Sequence, residues 1–400
     1  MNPRVFGRDE ADAPRAVEHA PAAVDAGEAE AFRDGVRRFV AHEISPNASA
    51  WDEAATFPRE LYRKAAAAGL LGIGYPERWG GTPAPLRLRL IATEEVARAG
   101  SGGLMASLFS HTIALPPIVA HGSEALQQRI VPAVLAGEKI AALAITEPGG
   151  GSDVARLSCT ARRDGDAWVI DGEKTFITSG MRADWITVAV RTGGPGAAGI
   201  SLLAVPGDAP GLERSALLKM GWWCSDTASL RFSGCRVPAE NLIGAENTGF
   251  RAIMDNFNGE RLLMAAGAGA FARVAYDEAL DWARQRRSFG TTLVEHQVVR
   301  HKLMDMRMRI ASTNAWTEAL VGRHDIGDTG PEWVAELCLL KNHATQTMQF
   351  CADQAVQILG GMGYMRGTKS ERIYREVKVM MIGGGAEEIM KELAARQLGL

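Results

Sequence analysis

A glycine-rich run at residues 145–153, ITEPGGGSD, combines residue types suited to binding a phosphate or a flat ring. Three consecutive glycines stand beside hydroxyl and acidic side chains. Glycine lets the backbone approach a ligand closely and present N–H donors to it. The run alone also fits a tight turn between a strand and a loop, so other parts of the sequence have to decide between the two.

A second candidate for chemistry is Glu260. On a helix it lies one turn before Leu263 and Met264, and Gly267 follows on the same face. A carboxylate on an apolar face has a raised pKa because burial disfavours its charged form, as a general base for a weakly acidic proton requires. The alternative is that Glu260 and Arg261 form the solvated start of a helix.

Composition excludes several classes of protein. The 44 basic and 47 acidic residues give a net charge of −3, which argues against a nucleic-acid partner. The five cysteines are never spaced as CxxC, so we expect no disulfide scaffold, no thiolate metal site and a reducing, cytoplasmic location. The uncharged stretch 101–123 contains Gly102, Gly103, Pro116 and Pro117, which favours a buried helix over a membrane span.

The periodicity of the apolar residues divides the chain. Helical spacing runs from about residue 25 to 137, short strands with turns run to about 238, and long helices follow. Asp164-Gly165 and Asp171-Gly172 predict hairpin turns, and the GxGxxG match at 194–199 predicts a hairpin loop, since strand-like runs flank it. We therefore expect an α+β chain with a loose tail (1–24), an N-terminal α-helical domain (25–139), a middle antiparallel β domain (140–240) and a C-terminal four-helix bundle (241–400).

Six motifs, in order, resemble those of the acyl-CoA dehydrogenase family, and the resemblance extends from about Ala31 to the C-terminus. They are residues 75–81, 145–153, 172–180, 221–238 (Gly221-Trp222, Ser225–Thr227 and Val237-Pro238), 286–297 (Arg286–Gly290 with Gln297) and 357–361.

The resemblance implies non-covalently bound FAD. The residues implied to hold the flavin ring and the pyrophosphate are Ile145, Thr146, Gly151, Ser152, Phe176 and Thr178. Those implied to hold the adenosine half from a neighbouring subunit are Arg286, Ser288, Phe289, His296 and Gln297, with Gln357 and Gly361 in the same shared site and Glu388 near the adenosine. A cofactor shared in this way implies a homotetramer built as a dimer of dimers.

The implied reaction is the α,β-desaturation of an acyl thioester, in which a carboxylate removes the α-proton and the β-hydrogen leaves as hydride to the flavin. Many family members carry that carboxylate in a C-terminal Tyr-Glu-Gly-Thr motif, but here Gly384 takes the place of the glutamate and Ala386 that of the threonine. A minority, including the long-chain and isovaleryl enzymes, places the base on an earlier helix, and residues 258–264 match that segment. The resemblance therefore assigns Glu260 as the base and the Gly384 N–H as donor to the thioester carbonyl.

Substrate contacts are implied for Ser152, Asn258 and Arg261. We expect a medium- or long-chain or branched acyl-CoA, with electrons passed to electron-transfer flavoprotein and with no membrane partner. Two alternatives stay open: an oxygen-using flavoenzyme of the same fold (an acyl-CoA oxidase or a flavin monooxygenase), or a non-catalytic flavin-binding scaffold or nucleic-acid-binding member. Glu260 disfavours the monooxygenases, which need no base for a thioester, and the net charge disfavours nucleic-acid binding.

Overall fold

The computed structural model describes residues 25–400, apart from the side chains of residues 255 and 256. The proposed tail, 1–24, lies outside the described residues. The first region is helical: α1 Ala26–Phe39, α2 Ala48–Glu53, α3 Glu60–Ala67, α4 Leu86–Ala97, α5 Gly102–Leu108, α6 His111–Ala114, α7 Pro116–His121 and α8 Glu124–Leu135. Its apolar stripes are buried as the spacing predicts, with Val36, Val40 and Ile44 in one core cluster.

A sheet follows, with strands β1 Ala141–Ala144, β2 Thr160–Asp164, β3 Ala167–Thr178, β4 Trp185–Arg191, β5 Ile200–Pro206, β6 Leu212–Ala216, β7 Thr227–Pro238 and β8 Leu242–Ile243. The order is β6-β7-β3-β2-β4-β5-β8, and β1 pairs with β4. Most pairs are antiparallel, but β1 and β2 each run parallel to β4. The GxGxxG match forms the loop of the antiparallel β4–β5 hairpin, as predicted.

Long helices complete the chain: α9 Gly249–Gln285, α10 Gln297–Asp325, α11 Pro331–Leu359 and α13 Lys369–Ile382, with the shorter α12 Gly361–Tyr364 and α14 Glu387–Gln397 and a small hairpin of β9 Arg287–Ser288 and β10 Thr291–Thr292. Alanines on α9 and α11 are buried against each other in one core cluster, which lets the two helix backbones approach closely. The expected order of a helical domain, a β domain and a helical bundle is confirmed.

Two local predictions were wrong. Asp171-Gly172 does not form a turn: it lies inside β3 at a bulge, where the register against β7 shifts between Ile170 and Gly172. Gly172 has φ +139°, and a Cβ there would lie 2.7 Å from Cys159 Cα, so close approach to a neighbouring strand explains this glycine.

The stretch 101–123 forms three short helices, α5 to α7, instead of one. Pro116 has no N–H to continue a preceding helix and instead begins α7. Among the described residues no single helix is long and apolar enough to cross a membrane. One bent pair of helices, 102–108 with 111–121, reaches that length and apolar composition only when its two parts are taken together.

Candidate active site

Glu260 lies on α9 opposite the loop that contains Gly384. Met264, one turn after Glu260, places its Sδ atom 2.6 Å from the position that a Cβ on Gly384 would occupy. Glu260 is half-buried, and burial raises the pKa of its carboxyl to about 8, although the charges of Arg261 and Arg89 act in the opposite direction. The apolar face expected from the sequence therefore faces the position where relatives carry an alternative base.

The loop at residues 383–385 is fixed by two buried cations. Arg261 Nε donates to the Gly384 carbonyl at 3.3 Å, while its Nη1 donates to Asn258 Oδ1 at 3.0 Å. Lys341 Nζ donates to the carbonyls of Gly385 at 2.8 Å and Met381 at 3.3 Å. Arg261 and Asn258 thus bind the loop in this chain, and their implied contact with substrate stays a prediction.

The N–H of Gly384, unlike its carbonyl, is not bound by the residues around the loop that the structure describes. Gly384 has φ +66°, a conformation that glycine adopts easily, and no described residue accepts a hydrogen bond from its N–H. A partly buried N–H without an acceptor is available to a ligand. The geometry fits the expected hydrogen bond to a thioester carbonyl.

The glycine-rich run follows β1 and is tied to β3, where the Thr175 N–H donates to the Thr146 carbonyl at 2.9 Å. A Cβ on Gly149 or Gly150 would meet nothing within 4 Å, so this backbone presents an open surface, and Ser152 is exposed beside it. Gly151 packs back on Thr146, with 3.2 Å between its Cβ position and Thr146 Cγ2. The run has the open backbone that a bound pyrophosphate or ring requires.

A buried ion pair that the sequence did not suggest anchors this run. Lys174 Nζ donates to Glu147 Oε1 at 2.8 Å and to the Ile145 carbonyl at 2.9 Å. Glu147 also accepts hydrogen bonds from the Ser158 N–H and hydroxyl and from the Cys159 N–H. Burial tends to raise the pKa of Glu147, but these hydrogen bonds and the Lys174 charge outweigh it, so the pKa is lowered. Burial is also the main influence on Lys174 and lowers the pKa of its ammonium group.

Phe176, two residues after Lys174, is 70% exposed and has φ +59° at a second register shift of β3. A positive φ costs energy in a residue with a side chain, and such strain clusters at ligand sites. Thr178 ends the strand half-buried, and Ser179 also has a positive φ, +60°. An exposed aromatic ring beside an open glycine backbone fits a flat ring such as the flavin of FAD.

An apolar cluster links the start of the glycine-rich run to α9. Ile145 packs on the same apolar cluster as Phe257, which is almost one helical turn before Glu260 on α9. The Arg261 guanidinium lies 5.6 Å from the centre of the Phe257 ring. One expected cofactor residue, Ile145, and the part of α9 just before Glu260 therefore border the same apolar cluster.

The residues expected to bind adenosine lie elsewhere. Arg286 ends α9, Phe289 is 96% exposed on the β9–β10 hairpin, and His296 contacts the Ser288 carbonyl through Nε2 at 3.3 Å. Gln297 begins α10 and is exposed, as are Gln357 and Gly361 at the end of α11 and the start of α12. Lys302, near the start of α10, donates through Nζ to Gln354 Oε1 near the end of α11, so the two clusters lie at one end of the bundle.

That end is far from the base. Arg286 follows Glu260 by 26 residues on one continuous helix, which corresponds to about 39 Å at 1.5 Å per residue. Glu388 lies at the other end, exposed at the start of α14 near the Gly384 loop. A single chain therefore holds the expected adenosine residues at the end of α9 and the start of α10 far from Glu260, whereas Glu388 lies near the Gly384 loop.

The sequence did not predict a role at the site for three further residues: Arg89 on α4, Tyr75 and His111. The Tyr75 hydroxyl donates to the His111 carbonyl at 3.3 Å, and burial lowers the pKa of His111 to about 4, so its ring is neutral. Burial raises the pKa of Tyr75, and the charges of Arg89 and Glu260 act on the same hydroxyl. The available signal was Arg89 itself, a charged residue between Leu86 and Thr93 on an otherwise uncharged helix face.

The fold is that of the three-domain flavin-dependent dehydrogenases, in which a helical region, a sheet and a bundle of long helices meet at this site. Three family descriptions match the chain in order: acyl-CoA dehydrogenase N-terminal domain over residues 26–138, middle domain over 142–235 and C-terminal domain over 247–399. The long-chain specific acyl-CoA dehydrogenase of Sus scrofa mitochondria is 37% identical over 371 residues, which cover 92% of this chain and 85% of the relative.

Solved structures agree. A putative acyl-CoA dehydrogenase from Mycobacterium smegmatis is 46% identical with a TM-score of 0.91, covering 94% of this chain and 98% of that one. A glutaryl-CoA dehydrogenase from the same organism, solved in complex with FADH2, is 26% identical with a TM-score of 0.87, covering 94% and 95%. The chain belongs to the acyl-CoA dehydrogenase family. It is an oxidoreductase, and FAD is the cofactor of its family.

Proposed function

We propose that the protein converts a medium- or long-chain or branched acyl-CoA to the trans-2-enoyl-CoA, with Glu260 as the base. The observation that carries this proposal is the placement of Glu260 on the α9 face that contacts Gly384. The long-chain name of the Sus scrofa relative supports an extended acyl chain. Electron-transfer flavoprotein is the proposed electron acceptor.

Each residue has a defined part in the reaction. Glu260 takes the α-proton, and its partly desolvated carboxyl is a stronger base than one in water. The Gly384 N–H donates to the thioester oxygen, where negative charge develops as the proton leaves. Bound FAD supplies the acceptor for the β-hydrogen, and Thr146, Phe176 and Thr178 orient its ring.

Replacement of the base tests the proposal. We expect the holoenzyme of Glu260→Gln to keep its FAD and to bind acyl-CoA, but to lose at least about a thousandfold in the rate of anaerobic flavin bleaching, in line with the loss of an essential acid–base group. Glu392→Gln is the matched control, since Glu392 is exposed and paired with Arg396 on α14. Substantial bleaching by Glu260→Gln contradicts the assignment.

The electron acceptor is tested separately. After bleaching by substrate, a dehydrogenase that uses electron-transfer flavoprotein regains its yellow colour slowly in air and rapidly when that protein is added. An oxidase regains it rapidly in air alone. Rapid recovery in air therefore favours the oxygen-using alternative and leaves the role of Glu260 intact.

We also propose a shared FAD site in a homotetramer, supported by the distance of about 39 Å between Glu260 and Arg286 along α9. Co-expression of Glu260→Gln chains with Arg286→Ala chains tests it. In a shared site, the intact Glu260 of one chain and the intact Arg286 of the other form one functional site, so the mixture is active although each variant alone is inactive. If the mixture is as inactive as its parents, the cofactor site lies within one subunit.

A further inference from the structure

Arg89 differs from the other arginines around α4. Arg87 forms an ion pair with Glu318 at 2.9 Å, and Arg33 and Arg37 both bind Glu95. Among the residues whose side chains the structure describes, which leave out 255 and 256, the guanidinium of half-buried Arg89 has no hydrogen-bond or ion-pair partner. An unpaired guanidinium in a partly buried position costs free energy, which favours a role in binding.

The packing of two helices places Arg89 beside the base. Thr93 Cγ2 lies 3.4 Å from the position of a Cβ on Gly267, so this face of α4 contacts this face of α9. Arg89 is one turn before Thr93, and Glu260 is two turns before Gly267. Leu86 and Leu90 share one core cluster with Leu262 and Ala265, which confirms that the two helices are in contact along this stretch.

The stem of Arg89 packs against the turn that precedes Tyr75. Its Cδ lies 3.0 Å from the position that a Cβ on Gly74 would take, next to Tyr75. Tyr75 and His111 are buried and are bonded to backbone carbonyls, the Tyr75 hydroxyl to His111 and the His111 Nε2 to Leu71 at 2.9 Å. These two groups are uncharged, whereas Glu260 is a carboxyl group on which the charge of Arg89 acts.

The effect on Glu260 agrees with this placement. Burial is the main influence on its carboxyl and raises its pKa, while the positive charge of Arg89 lowers it. The same charge lowers the pKa of His111, for which burial is again the main influence. The guanidinium is therefore close enough to act on groups from α9, on the turn after Gly74 and on α6.

A guanidinium beside the base of such a site binds one chemical group best. Its planar fork of N–H donors matches a carboxylate, with two parallel charge-assisted hydrogen bonds. A purely hydrocarbon acyl chain would instead cover the guanidinium and remove water from it with nothing in exchange. We propose that the acyl group of the substrate carries a carboxylate that Arg89 binds, so that the substrate is the CoA monothioester of a dicarboxylic acid.

This inference rests on the proposed function and narrows it. Binding of a substrate carboxylate also neutralises Arg89 beside Glu260, which makes Glu260 a stronger base while the correct substrate is present. The substrate carboxylate determines which acyl-CoA is bound preferentially. The reaction itself still takes place at the bond between the α and β carbons.

Pairs of acyl-CoAs of equal chain length, one with a terminal carboxylate and one without, test the proposal on the holoenzyme. At one chain length, we expect the kcat/KM for anaerobic bleaching to be about 10- to 100-fold higher for the carboxylated member, the range expected for a charge-assisted hydrogen bond. Arg89→Met should abolish that preference, beyond the fall in rate that both members share because the pKa of Glu260 rises. Arg89→Lys should keep part of it, and the matched control Arg87→Met all of it.

A binding measurement gives a readout that is independent of turnover. In the Glu260→Gln holoenzyme, calorimetry should show tighter binding of the carboxylated acyl-CoA, and the addition of Arg89→Met should remove the difference. If the wild-type protein prefers the uncharged member at every length, or if Arg89→Met lowers both rates alike, Arg89 acts only on Glu260 and the inference is wrong while the proposed function stands. If none of the acyl-CoAs bleaches the flavin, the proposed function fails as well.

Discussion

Met264 Sδ lies 2.6 Å from the position that a Cβ on Gly384 would occupy, so the helix that carries Glu260 fills the space of the alternative base. Glu260 and Gly384 therefore belong to one arrangement: the carboxylate comes from α9, and the loop contributes only its backbone. The φ of +66° at Gly384 adds a second obstacle to a side chain there.

Moving the base back to the loop should therefore require three substitutions: Glu260→Gln, Gly384→Glu and Met264→Ala. We expect Glu260→Gln/Gly384→Glu to be inactive and to lose about 1–2 kcal/mol of unfolding free energy, because a residue with a side chain resists this conformation. Adding Met264→Ala opens the space and should restore measurable flavin bleaching. Gly384→Ala separates the backbone cost from the new carboxylate, and full rescue without Met264→Ala would contradict the steric argument.

The pH dependence of the reaction follows from the raised pKa of Glu260. The base must be ionised, so kcat/KM should rise as the pH increases through about 8 and level off above it. Arg89→Met should move this midpoint upward, since the charge of Arg89 lowers the pKa. A midpoint below pH 6 in the wild-type protein would show that the carboxyl is not desolvated.

The raised pKa of Glu260 makes the unfolding free energy fall as the pH rises, whereas it makes the reaction rate increase. The folded protein holds the Glu260 proton more tightly than the unfolded chain, whose glutamate pKa is about 4.3. The unfolding free energy should therefore decline as the pH rises from about 4.3 to about 8, and this component should vanish in Glu260→Gln. Denaturant unfolding of both proteins across this range measures the difference.

Lys341 should position the Gly384 N–H without contacting substrate. Lys341→Met leaves the carbonyls of Gly385 and Met381 without their donor, at a cost of about 1–3 kcal/mol in unfolding free energy for an unsatisfied buried group. We expect a lower kcat with an unchanged FAD content, because the loop is displaced while the ring-binding residues are not. The exposed Lys391→Met is the control, and an unaltered kcat would show that the loop holds its conformation unaided.

The parts of the site that lie on a single helix or strand could be predicted from the local sequence pattern. The face that Glu260 shares with Met264 follows from helical periodicity, which needs no tertiary information. Asp171-Gly172 shows the limit, because the turn preference of that dipeptide is overridden by pairing of β3 with β7. Arg89 was missed because its meaning depends on which helix α4 packs against.

The ion pair between Lys174 and Glu147 was missed for the same reason, since the pairing of two elements brings together residues 27 positions apart in the chain. Removal of one partner should be costly: Lys174→Met leaves Glu147 buried and unpaired, and we expect a loss of about 3–5 kcal/mol in unfolding free energy. FAD should also dissociate more readily, because Lys174 ties the Ile145 carbonyl, and with it the glycine-rich run, to β3.

The double variant Glu147→Gln/Lys174→Met distinguishes the ion pair from simple packing. With both charges removed, the loss of stability should be smaller than for Lys174→Met alone, because no uncompensated charge stays buried. Arg236→Met is the matched control at an exposed pair with Asp164, and should cost about 0–1 kcal/mol. Denaturant unfolding and the FAD-to-protein absorbance ratio measure both effects; a Lys174→Met variant that is as stable as the control and retains FAD would show that the pair does not anchor the site.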